Sequence, residues 1–121
     1  MNLKPPREDP YSQENKIREE LAEKGFGEKL AVIDAKKLAD ESGNHYLNTE
    51  VSMDLIYRHH PDHKGFNYRE DYKEEVEFYA VSIEGGVKGY IERRSREDNL
   101  EVVDELLANI ARSDTLSTHY Y

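Results

Sequence analysis

Between Glu75 and Arg94 the chain alternates polar and apolar residues in two runs that flank Glu84-Gly85-Gly86. Side chains on a strand point to opposite faces in turn, so this pattern predicts a β-hairpin. A three-residue loop containing glycine suits a turn closed by a left-handed residue. It pairs Ile83 with Val87, Val81 with Gly89 and Tyr79 with Ile91. One face then carries Tyr79, Val81, Ile83, Val87 and Ile91, the expected core. The other carries Val76, Phe78, Ala80 and Tyr90, mixed with Ser82, Lys88 and Glu92. A two-residue loop would shift the register by one and scramble both faces.

Upstream, residues 46–58 also alternate. Leu47, Thr49, Val51, Met53, Leu55 and Tyr57 share one side, and Asn48, Glu50, Ser52, Asp54, Ile56 and Arg58 the other, which predicts a strand with one wet face. Helical spacing appears twice more clearly than elsewhere. Asp9-Pro10 is a start signal for a first helix from Pro10 to about Lys24, with a thin stripe of Ile17, Leu21 and Ala22 and a stop at Gly25. Leu100, Val103, Leu106, Leu107 and Ile110 form a continuous stripe after Ser95 and Asp98, which read as a capping box; a last helix follows from about Arg96 to Arg112. Residues 28–42 suit a second helix ended by Gly43, with a short strand Leu30–Ile33 and a helix capped by Asp34 as the alternative.

The predicted fold is α+β: two N-terminal helices, a three-stranded antiparallel meander sheet and a C-terminal helix packed on the sheet. Residues 10–112 form its single domain. Residues 1–9, with Pro5-Pro6, read as a disordered arm, and 113–121 as a flexible tail.

Charge changes what this fold can do. Twenty-six acidic against 17 basic residues in 121 give a net charge of −9. Such a surface repels nucleic acid and anionic membranes and favours basic partners. There is no cysteine, hence no disulfide framework and no thiolate chemistry. No apolar run is long enough to span a bilayer and no signal peptide is visible, so the expected location is cytoplasmic.

Two candidate sites follow. Ile56, Phe78 and Tyr90, rimmed by Glu75, Glu77 and Glu92, would form an aromatic patch if nothing covers the second sheet face. His59, His60, Asp62 and His63 form the densest group of metal-ligand types, suited to zinc or another divalent ion, although no fourth convergent ligand outside the loop is evident. The carboxylate run Glu70, Asp71, Glu74, Glu75 and Glu77 reads as a solvated edge, with no catalytic assignment.

His60-Pro61-Asp62 resembles the tripeptide that marks J-domain co-chaperones, with Leu55 at a matching apolar position and Lys64 following. That resemblance implies a helix on each side of the tripeptide, the first basic; here Glu50 and Asp54 precede it. The order helix, three strands, helix also resembles a double-stranded-RNA-binding domain, with Phe78, Val81, Gly89 and Ser95-Arg96 at corresponding places. The family's phosphate-binding lysines at the last helix are Glu97 and Asp98 here, so a shared fold would not bring RNA binding.

The function expected from all this is a small acidic, non-enzymatic protein-binding module, an adaptor, inhibitor or small subunit. It would act on a basic surface, including as a nucleic-acid mimic, and homo-oligomers are compatible with it. The alternatives are a metal-dependent enzyme using the His59–His63 loop and a J-domain-like co-chaperone.

Overall fold

The computed structural model describes residues 12–59 and 75–121. The arm predicted at 1–9 and most of the connection predicted after Arg58 lie outside them.

The first helix, α1 (Ser12–Glu23), forms where predicted and buries Ile17 and Leu21, four residues apart on one face. The second predicted helix does not form. Residues 28–42 instead make three short strands: β1 (Glu28–Lys29), β2 (Ala31–Asp34) and β3 (Lys37–Ala39). Local chemistry favours the turn between the last two. Asp34 Oδ1 accepts the Lys36 N–H at 2.8 Å, a bond that competes with helix. Val32 pairs with Leu38 across the turn, and both meet the core. On a helix those positions would point to different sides.

The predicted strand 46–58 is also divided. β4 (His45–Leu47) pairs with β3, a 3-10 turn takes Asn48–Glu50, and β5 (Val51–His59) enters the main sheet. The predicted alternation then fails once more. Met53 pairs with Val81 but Leu55 pairs with Ala80, so Asp54 is a bulged extra residue. The bulge switches the faces: Val51, Met53 and Ile56 share one core, while Leu55 and Tyr57 join the other. Asp54 Oδ2 accepts a hydrogen bond from the Ser82 hydroxyl.

The hairpin of β6 (Val76–Ile83) and β7 (Lys88–Arg94) has the three-residue loop and the register that the pattern predicts. The Ile83 N–H donates to the Val87 carbonyl at 2.8 Å, and Gly85 and Gly86 take φ of +99° and +101°. After it come α2 (Leu100–Ala108) and β8 (Ala111–Tyr120). The last helix is therefore shorter than predicted. Ser95 is not its cap: Ser95 Oγ accepts the Glu75 N–H at 3.0 Å.

The predicted meander β5-β6-β7 is only the centre of a five-stranded mixed sheet, ordered β1-β7-β6-β5-β8, with both outer strands parallel to their neighbours. A three-stranded sheet, β2-β3-β4, stands apart from it. Two helices, rather than three, are present among the described residues. One face of the large sheet carries Met53, Ile56, Tyr79, Val81, Ile83 and Ile91. It is covered by Val103, Leu106 and Leu107 of α2 and by Leu38 of the small sheet. The opposite face carries Tyr57, Val76, Phe78, Ala80 and Tyr90 and is covered by Ile17 and Leu21 of α1 with Phe26. No described helix is long and apolar enough to cross a membrane.

The order α1, β5, β6, β7, α2 contains the helix–three strands–helix sequence read from the chain. Four further strands intervene and a fifth follows, so the RNA-binding-domain topology is not reproduced.

Candidate functional site

The aromatic patch expected on the second sheet face is not open to a partner. Phe78 is fully buried and Tyr90 is 6% exposed, both beneath α1. The Arg18 guanidinium lies over the Phe78 ring, 5.4 Å from its centroid. Ile56 is buried on the other face, because the Asp54 bulge reverses its direction. The three predicted anchors therefore do not converge.

Two of the three predicted rim acids are engaged inside the fold. Glu92 accepts from Arg18 Nη2 at 3.0 Å and Arg94 Nη1 at 2.6 Å. Arg94 also binds Glu14 of α1, and Arg18 closes the circuit to Glu14. This ring of two acids and two guanidiniums ties α1 to β7. Burial pushes the Glu92 pKa up, but the hydrogen bonds from Arg18 and Arg94 outweigh it and hold the carboxyl below its ordinary value. Glu77 occupies the opposite face. It accepts from the Tyr79 hydroxyl and lies 3.3 Å from Arg58 Nε and 3.8 Å from Arg93 Nη1. Arg93 in turn grips Asp104 of α2. Burial first, and the Glu77 carboxylate second, raise the Tyr79 pKa well above that of free tyrosine. The third rim acid, Glu75, is partly buried just before β6; its carbonyl accepts the Ser95 N–H at 2.9 Å and its N–H donates to Ser95 Oγ at 3.0 Å.

His59 ends β5. His60, Asp62 and His63 lie outside the described residues, as does the co-chaperone tripeptide, whose preceding segment is strand rather than helix. Among the described residues no three metal-ligand side chains converge.

Among the described residues, α2 and β8 each leave charged or polar groups outward. α2 contains three acids and no base; Val103, Leu106 and Leu107 point into the core, while Glu101, Asp104 and Glu105 are exposed. The chain turns at Asn109, buries Ile110 and continues as β8, the outermost strand of the sheet. Among the described strands β8 is bonded to β5 alone, and Tyr120 is 72% exposed. It is held at its end by aromatic contacts: Tyr57 stacks on His119 at 5.2 Å and meets Tyr121 at 5.8 Å. The Tyr57 hydroxyl donates to Glu20 Oε1 of α1 at 3.2 Å.

Residues 113–121, expected to be a flexible tail, supply most of β8; the segment is mostly polar and shows no apolar stripe. Thr115, Thr118, Tyr120 and Tyr121 were the available signal, since β-branched and aromatic residues favour strands. A polar strand is what an edge requires, with only Leu116 reaching the core.

The other end of the sheet is protected. β1 covers Gly89 and Tyr90 of β7, with the Leu30 N–H on the Tyr90 carbonyl at 2.8 Å. Beyond β1 a cleft of about 220 Å³ opens between Leu30, Val32, Glu92, Arg94, Asn99 and Val103. Glu97 closes its far side: its carboxylate accepts the Arg94 N–H at 3.0 Å, and its N–H donates to the Arg94 carbonyl at 3.2 Å.

Compared with protein-family models, with curated proteins and with solved structures, the chain matches none of them.

Proposed function

We propose that the chain is a small acidic, non-enzymatic protein-binding module that engages a basic partner through its α2–β8 side. The observation that carries this is the composition of α2: a helix whose outward residues are Glu101, Asp104 and Glu105, with no base among its nine residues, leading directly into a strand that no other described element covers on its outer side. The buried acids Glu14 and Glu77 and the part-buried Glu92 are matched by arginines within the fold. Glu101 and Glu105 stand in solvent, where they add to the net charge of −9. A field of one sign steers an oppositely charged partner and sets orientation more than it sets affinity. A surface of this kind can also take the place of nucleic acid on a protein that binds phosphates.

The test compares host proteins captured by the wild type and by the Glu101→Gln/Glu105→Gln variant over a salt series. A basic protein retained at low salt, and lost with either salt or the double substitution, supports the proposal. A captured partner indifferent to both overturns it.

A further inference from the structure

We infer that the partner docks as an added β-strand along the outer edge of β8, as an extended lysine- or arginine-containing segment bonded to the backbone of Thr118 and Tyr120; this rests on the protein-binding function proposed above.

The direction of the backbone groups comes from the register. In a parallel pair, alternate residues turn both N–H and C=O toward the neighbouring strand, and the residues between turn both away. Arg58 pairs with Tyr120, and the Tyr121 N–H donates to the Arg58 carbonyl at 2.8 Å. His119 and Tyr121 therefore face β5. Thr118 and Tyr120 face outward, and together they present two donors and two acceptors to an incoming strand.

The two ends of the sheet are treated differently. On β7 the outward groups of Tyr90 are covered by β1 and those of Arg94 by Glu97. Such devices keep edges from pairing with foreign chains. Among the described residues β8 carries no cover of this kind. Its bulk of exposed polar residues keeps it soluble, while Thr118 and Tyr120 remain good cross-strand neighbours.

Charge selects the occupant. A second copy of a chain with net charge −9 is repelled. A basic segment is attracted by the overall negative charge, by Asp114 within β8 and by Glu20, which is held one ring away from His119 through Tyr57, while Arg58, paired with Tyr120, is engaged by Glu77.

The experiment uses the full chain and a labelled peptide of about ten residues that alternates lysine with valine. Amide exchange is read residue by residue. In the free protein the Thr118 and Tyr120 amides should exchange faster than those of His119 and Tyr121. Adding the peptide should slow the first pair. Thr118→Pro removes only an outward N–H, and a strand accepts the extended geometry that proline imposes on Ser117. It should weaken binding about tenfold while the fold, followed by the unchanged β5–β6 amides, is kept. A peptide N-methylated at alternate residues should lose binding likewise. Binding that survives Thr118→Pro and leaves both amides fast overturns strand addition. If that binding still fails in Glu101→Gln/Glu105→Gln, the acidic docking function stands without the added strand. If neither variant changes it, both fall.

Discussion

Arg94 holds Glu14 with both arms of its guanidinium, Nη1 to Oε1 at 3.0 Å and Nη2 to Oε2 at 3.1 Å, across 80 residues of chain. Glu14 is only 4% exposed, so this pair secures a charge that water does not reach. Removing one partner of a buried ion pair costs more than the pair itself contributes, because the other charge is stranded. Arg94→Ala should therefore destabilise the protein by about 3 kcal/mol, with Arg18 retaining a weaker hold on the same carboxylate. Urea unfolding measures it. Replacing both Glu14 and Arg94 by leucine and methionine should cost less than Arg94→Ala alone.

Stability should fall at both ends of the pH scale, for different residues. Glu92 has a depressed pKa in the fold. Its contribution is present above the ordinary carboxylate value of about 4.3 and is lost as pH falls through the folded value. Tyr79 has a raised pKa, so its contribution is full below the ordinary tyrosine value of about 10 and declines as pH rises beyond it. Urea midpoints recorded from neutral to strongly alkaline pH should drop in the wild type, and the drop should be shallower in Tyr79→Phe. An equal alkaline loss in both proteins would remove Tyr79 as a cause.

At Gly89 a methyl group would lie 2.5 Å from the Glu28 carbonyl oxygen and 3.0 Å from the Leu30 side chain. The first contact is with backbone and cannot be relieved by a rotamer change. Gly89→Ala should separate β1 from β7 and cost about 1–3 kcal/mol. Faster exchange of the Leu30 amide, which bonds to Tyr90, is the local signature.

Deleting residues 113–121 distinguishes a strand from a tail. Tyr57 is fully buried and its ring is covered in part by His119 and Tyr121. The deletion should lower stability by at least about 3 kcal/mol, through exposed aromatic area and lost sheet bonds. A frayed tail would leave the unfolding curve unchanged.

Much of the centre of this fold is legible from pattern alone. The hairpin register follows from alternation and from the two glycines between the runs. α1 and the α2 stripe follow from helical spacing. What alternation cannot reveal is an inserted residue: Asp54 looks like any polar position on a wet strand face, yet it moves Ile56 to the opposite core. Residues 28–42 misled for a related reason. Strands of two to four residues are too short to show a period, and their leucines and alanines suit a helix equally well. The candidate patch failed on coverage. Phe78 and Tyr90 do share a face, as the pattern says, but the placement of α1 over them depends on Glu14 and Arg18 meeting Glu92 and Arg94, which no local pattern encodes. β8 is hidden by its own polarity, since Thr118 to Tyr121 carry no apolar stripe.

Both outer strands of the large sheet are parallel partners of segments about sixty residues distant, Glu28 with Gly89 and Ser52 with Ala111. Contacts that close such long loops form late, so the central hairpin should assemble while its flanks are still bare. During synthesis β8 is the last described element to leave the ribosome, and until it arrives β5 has a raw border. A nascent chain stalled in that interval is the form most exposed to clumping, and the one a chaperone would be expected to meet.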